Sequence, residues 1–126
     1  MSSTFSVDIM GLQVIEHGRD ARVVTVTGEV DMVTAPDLAD CLITQIAVAR
    51  AVVVDLDGVR FLGSAGVAAL FQANELATSE GRELRLVSHS RSANLALEVT
   101  GLAAWFTFAD SVPEALNSVR WTADGR

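Results

Sequence analysis

Ser64 is the side chain whose neighbours best equip it for chemistry. It lies in Val59-Arg60-Phe61-Leu62-Gly63-Ser64-Ala65-Gly66, between the apolar run Ala51 to Leu56 and an amphipathic segment opening at Val67. A serine in front of a helix ordinarily caps it, accepting a hydrogen bond from one of the N–H groups that the first turn leaves unpaired. The same position also suits a regulated hydroxyl. A phosphoryl group on Ser64 meets free N–H groups and the positive end of the helix dipole, and adds about −1.5 to −2 charges. Gly63, Ala65 and Gly66 are small and leave the hydroxyl open to a bulky modifying enzyme. Both uses stand at this level.

Asp31 is the second informative residue. It follows Gly28-Glu29-Val30 and precedes Thr34, the expected N-cap of a helix. In a parallel sheet the end of this strand lies beside the end of the Ala51 strand, so Asp31 can approach Ser64; the alternative is an ordinary loop carboxylate. Enzymatic constellations are hard to build from the rest. The chain has two histidines, one cysteine and no tyrosine, and its nine cationic side chains are all arginine. His17 sits in a polar turn and His89 just after a strand, where surface roles are expected. Gly63 to Gly66 lacks the glycines and lysine of a phosphate-binding loop, is not a Gly-x-Ser-x-Gly elbow, and has no histidine placed to activate the serine. No metal-ligand spacing appears. Neither a catalytic residue nor a cofactor nor a metal is therefore expected.

Charge narrows the partners. The formal net charge is −7, with nine acids against four arginines in residues 1 to 63 and seven against five in residues 64 to 126. A nucleic-acid or anionic-membrane surface wants a cationic patch, and none is present, so a protein partner fits better. The apolar stretches are far shorter than a membrane span, and residues 1 to 10 lack the basic start and apolar region of a signal peptide. A cytoplasmic protein is expected, with Cys41 turned to the core as a small hydrophobe.

Hydrophobic periodicity places these residues. The 126 residues suit one domain, with a core expected over about 8–118 and a loose tail from Thr122, Trp121 folding back on the body. Leu12 to Ile15 and Arg22 to Val30 read as strands joined at His17-Gly18-Arg19-Asp20. Val24, Val26 and Val30 share a face. Thr34, Pro36 and Asp37 open a helix as a Thr-x-x-Asp box, with Leu38, Leu42, Ile46 and Ala49 on its buried side and Cys41 beside them. Ala51 to Asp55 is the central strand. A helix from about Ala65 to Thr78 follows, its stripe being Val67, Leu70, Phe71, Asn74 and Ala77. Then come a strand over Glu83 to Val87, a short helix capped by Ser90 or Ser92 and closed at Gly101, and an aromatic strand from Trp105 to Phe108. A last helix begins at the box Ser111-Val112-Pro113-Glu114 and runs through Leu116 and Val119. The β-β-α-β-α-β-α-β-α order predicts an α/β fold: one mixed sheet of four or five strands, covered by about four helices. The helices from Thr34 and Ala65 form its main covering layer.

Four segments in this order resemble the STAS domain family, specifically bacterial anti-sigma factor antagonists of the SpoIIAA and RsbV kind. They are Gly28-Glu29-Val30-Asp31 with Thr34-Ala35, Val52-Val53-Val54-Asp55-Leu56, Val59-x-Phe61-Leu62-Gly63-Ser64-Ala65-Gly66-Val67, and Val99-Thr100-Gly101-Leu102 with Phe106 and Phe108 behind it. The resemblance implies a STAS-like single domain and a non-enzymatic role in partner switching, a form of transcription control used in stress responses. It makes Ser64 the phosphoacceptor of an anti-sigma factor that is also an ATP-dependent serine kinase, with a serine phosphatase resetting the switch. Glu29, Asp31, Thr34, Gly63, Ser64, Ala65, Gly66 and Val67 would form the docking surface, and ATP would be bound by the partner. Gly63 stands where an aspartate commonly precedes the serine, which removes a local charge and bears on kinase choice. Ala65 stands where a second serine often does, leaving Ser64 the sole acceptor in the motif. A constitutive interaction or scaffold module is the alternative function, and a homodimer is compatible with either.

Overall fold

The computed structural model describes residues 9–119. Strands β1 (Met10–His17) and β2 (Ala21–Val30) are followed by helix α1 (Ala35–Val48), β3 (Ala51–Leu62), α2 (Ser64–Ser79) and β4 (Glu83–Val87). Then come α3 (Arg91–Val99), a single 3-10 turn (Ala103–Trp105), β5 (Phe108–Ala109) and α4 (Val112–Asn117). The strands form one mixed five-stranded sheet in the order β1-β2-β3-β4-β5. β1 pairs antiparallel with β2, from Met10 opposite Gly28 to His17 opposite Ala21, and the remaining pairs are parallel. The architecture is the mixed α/β sheet covered by four helices that the element order predicts.

The two faces of the sheet carry unequal loads. Val24, Val26 and Val30 of β2 share a face with Val52, Val54 and Leu56 of β3, and on it lie Leu38, Leu42 and Ile46 of α1, Val67 and Leu70 of α2, and Ala93 and Leu97 of α3. The opposite face is covered by α4, where Ala115 packs on Val23, Val53 and Val87. The buried positions of α1 recur at three and four residues, one face of a helix. In α2 the stripe is wider than the periodicity predicts, adding Gly66, Ala69 and Ala73. Asn74 turns sideways, its amide donating to the Trp105 carbonyl over 3.0 Å. Cys41 is half-buried and packs against the core, and burial pushes its thiol pKa up. No described helix is long and apolar enough to cross a membrane.

Several boundaries differ from the sequence reading. β3 does not stop at Asp55 or Leu56 but runs on to Leu62, with register shifts against β2 between Thr25 and Thr27 and between Gly28 and Glu29. Extra residues in β3 at these bulges break the alternation of two that marks a strand. The Trp105 to Phe108 strand is replaced by the 3-10 turn and the two residues of β5. α4 ends at Asn117, short of Val119. Trp121 and the tail from Thr122 lie outside the described residues.

The helix ends follow their chemistry more closely. Ser90 caps α3 by accepting from the Ala93 amide over 3.1 Å. Gly101 takes φ +75°, and the Gly101 and Leu102 amides bond back to the Glu98 and Leu97 carbonyls in a Schellman close. Ser111 accepts from the Glu114 amide over 3.2 Å, while the Glu114 carboxylate reaches past it to the Asp110 amide. The Thr34–Asp37 box does not form: the Thr34 hydroxyl makes no cap bond and turns back toward Asp31.

Candidate functional site

The parallel strands β2 and β3 deliver their C-terminal ends side by side, Val30 opposite Leu62. Asp31 follows the first and Ser64 the second, so both stand at one end of the sheet. The junction is tightened by the Gly63 amide, which donates to the Val30 carbonyl over 2.8 Å. Gly63, not Ser64, is the N-cap of α2: its carbonyl accepts from the Gly66 and Val67 amides at 3.0 and 3.1 Å. Ser64 is the first helical residue and is exposed.

This one-residue displacement removes the capping use of the hydroxyl. No side chain caps α2, its first turn carries no acidic residue, and among the described residues Ser64 Oγ has no hydrogen-bond partner. The Ser64 and Ala65 amides likewise form no bond within the described residues. A hydroxyl and two N–H donors, none with a partner among the described residues, therefore stand together at the positive end of a sixteen-residue helix.

Asp31 is at the same sheet end, but its bonds run into its own loop. Oδ1 accepts from the Val33 amide at 2.9 Å, the Thr34 amide at 3.0 Å and the Thr34 hydroxyl at 3.2 Å. The Thr34 oxygen in turn accepts from the Asp31 amide at 2.9 Å, and its proton is shared with the Glu29 carbonyl at 3.1 Å. The Thr34 amide above all, then that of Val33 and the Thr34 hydroxyl, holds the Asp31 carboxyl below its usual pKa against the opposing effect of partial burial. No bond joins it to Ser64.

The remaining residues of the expected docking surface divide by exposure. Glu29 is exposed at the end of β2, while Thr34, Gly63 and Ala65 are half-exposed. Gly66 and Val67 are buried and face inward. A Cβ on Gly66 would lie 2.6 Å from Leu62 Cδ1 and 2.7 Å from Val30 Cγ1. Of the histidines, His17 is exposed in the hairpin and His89 pairs with Asp57, Nδ1 standing 3.1 Å from Oδ1. Among the described residues no three His, Cys, Asp or Glu side chains could hold a metal ion.

Sequence reasoning missed the apolar surface around Ser64. A cleft of about 260 Å³ runs between α1 and α2, from Met32 and Pro36 to Ala65, Ala68 and Gln72. On the other side one of about 300 Å³ lies between Phe61 of β3 and Leu95 and Val99 of α3. Met32 and Val33, two apolar residues between β2 and α1, are a signal that could have found it; Leu95 and Val99, four apart, read as one face of α3, whereas its buried residues are Ala93 and Leu97.

The STAS domain family model matches residues 12–115. The crystal structure of an anti-sigma factor antagonist from Mycobacterium paratuberculosis is 32% identical, with a TM-score of 0.80 over 91% of this chain and 97% of that one. Unphosphorylated SpoIIAA superposes with a TM-score of 0.74 at 19% identity, over 89% of this chain and 98% of its own. Phosphorylated SpoIIAA, a Bacillus cell fate determinant, gives 0.68 at 20% identity, over 87% and 100%. A search of curated protein sequences finds no match. With most of its length matched by the family model and a relative of nearly its own length sharing a third of its residues, the chain belongs to the STAS domain family.

Proposed function

We propose that this protein is an anti-sigma factor antagonist, binding an anti-sigma factor with serine kinase activity and released from it by phosphorylation of Ser64. The observation that carries the reading is the exposed Ser64 hydroxyl at the start of α2, which, like the Ser64 and Ala65 amides beside it, has no partner among the described residues. In the transfer, Ser64 Oγ attacks the γ-phosphorus of ATP held by the partner. The Oγ–P bond forms as the bond to ADP breaks, and the hydroxyl proton passes to a base on the partner. The product dianion lies against the N–H groups of the first turn, where the helix dipole favours it. The docking face thereby gains negative charge while the fold beneath is untouched. Hydrolysis of the ester by a serine phosphatase restores the binding form. The relatives support the general role, and SpoIIAA, of the same fold, is known in both unphosphorylated and phosphorylated forms. The docking face is drawn from Glu29, Thr34, Gly63, Ser64 and Ala65, and the site of action is the cytoplasm.

The test is capture of the kinase from native cell extract on the wild-type chain and on Ser64→Glu, then incubation of the captured kinase with ATP and intact-mass measurement. One phosphoryl group is expected on the wild type and none on Ser64→Ala, with Ser64→Glu binding at least about tenfold more weakly. Equal binding by Ser64→Glu would identify a constitutive interaction module and overturn the switch.

A further inference from the structure

We propose that Asp31 is a positioning residue, its carboxylate fixing Met32 and Val33 as an apolar prong that the partner kinase grips beside Ser64. The inference rests on the reading above and deepens it. Met32 and Val33 are 79% and 80% exposed, the two most exposed large apolar side chains among the described residues. A single exposed valine or methionine is ordinary. Two in succession on an anchored loop are not.

The anchoring is specific. The Val33 and Thr34 amides both end on Asp31 Oδ1, at 2.9 and 3.0 Å, and the Ala35 amide ends on the Asp31 carbonyl at 2.8 Å. Three consecutive amides after Met32 are thus bound to one residue, and the Thr34 hydroxyl closes the loop from the other side. The loop is ordered before any partner arrives, so little freedom is lost on binding. Its place is also defined. Met32 lines the α1–α2 cleft, whose wall includes Ala65, the immediate neighbour of Ser64. Met32 and the cleft thus reach the residue next to Ser64, and the partner's contribution is an aliphatic pocket that receives Met32 and Val33. Asp31 therefore acts through the loop, and its charge is not needed at Ser64. An asparagine can serve, because its Oδ1 accepts the same two amides.

The experiment measures amide exchange in the full-length chain alone, then binding and Ser64 phosphorylation by the captured kinase. In Asp31→Ala the Val33 and Thr34 amides should exchange at least about tenfold faster, and the KM of the chain as kinase substrate should rise about tenfold with kcat near wild type. Asp31→Asn should restore both. Met32→Ser with Val33→Ser should leave the Thr34 amide protected, yet raise KM as far as Asp31→Ala does. A double serine variant with wild-type KM and affinity overturns the prong. An Asp31→Asn variant that loses affinity with its loop amides still protected overturns the positioning role in favour of charge. A wild-type chain that neither binds the kinase nor is phosphorylated removes the Ser64 reading and this inference together, whatever the exchange rates.

Discussion

Two glycines flank the Ser64–Ala65 pair, and their surroundings differ. Gly66 presses against Leu62 and Val30, both buried in the main core, so a methyl group there has nowhere to go. Gly63 has φ −83°, open to any residue, and a Cβ would crowd the Phe61 ring, at 3.2 Å from Cε2, and meet the Val30 carbonyl oxygen at an ordinary contact distance of 3.5 Å. That ring is half exposed and can swing away. Gly66→Ala should therefore cost roughly 1–3 kcal/mol, whereas Gly63→Ala should stay within about 0.5 kcal/mol of wild type. Urea denaturation of the two variants checks the contrast. The sequence marks both positions as small and cannot rank them, because the difference lies in what stands opposite, on β2 and on the side chain two residues back.

Among the elements, β3 does most to place the site, and its second half was the least legible. Asp55, Asp57, Gly58 and Arg60 interrupt the apolar run, and the bulges shift which residues face inward. Val59 and Leu62 are buried three apart, while Phe61 points out. Polar side chains brace this irregular stretch: Asp55 accepts from the Asp57 amide at 3.0 Å, and Asp57 from the His89 amide at 2.7 Å. Ser90 is the firmest brace. Buried, it donates to the Val59 carbonyl over 2.7 Å while capping α3. Ser90→Ala should leave a buried carbonyl and a helix amide unpaired and destabilise the domain by about 2 kcal/mol, checked by chemical denaturation. Sequence named Ser90 as one of two capping candidates. Its second bond, across thirty-one residues, depends on a tertiary approach that no local pattern encodes. By contrast, α1, β4 and the close of α3 were legible because periodicity and a terminal glycine are local signals.

For the molecule as a whole, the asymmetry of the sheet predicts where it opens first. Three helices share one face and a continuous core, whereas the other face relies on the six residues of α4 and small side chains such as Ala115. β5, which holds the far edge, is two residues long. Native-state hydrogen exchange should show the Val54 amide opening only with global unfolding and the Leu116 amide exchanging by local release of α4, at a free energy several kcal/mol lower. Asp31 and Ser64 stand at the ends of β2 and β3, the strands with the heaviest cover, so the candidate site belongs to the rigid part of the domain.

The carbonyl of Gly63 begins α2 without help from any side chain, and that makes the Ser64 oxygen surplus to the architecture. Nothing is unmade when it is esterified. A carboxylate or phosphate at the first helical position would stabilise the helix by about 0.3–1 kcal/mol. The two chemical forms of such a protein then differ little as folded objects, by a rise in Tm of no more than roughly 1–6 °C. Under the proposed switch the difference between them lies mainly in what a second molecule encounters, so the mark could be written and removed repeatedly without wearing out the molecule that bears it.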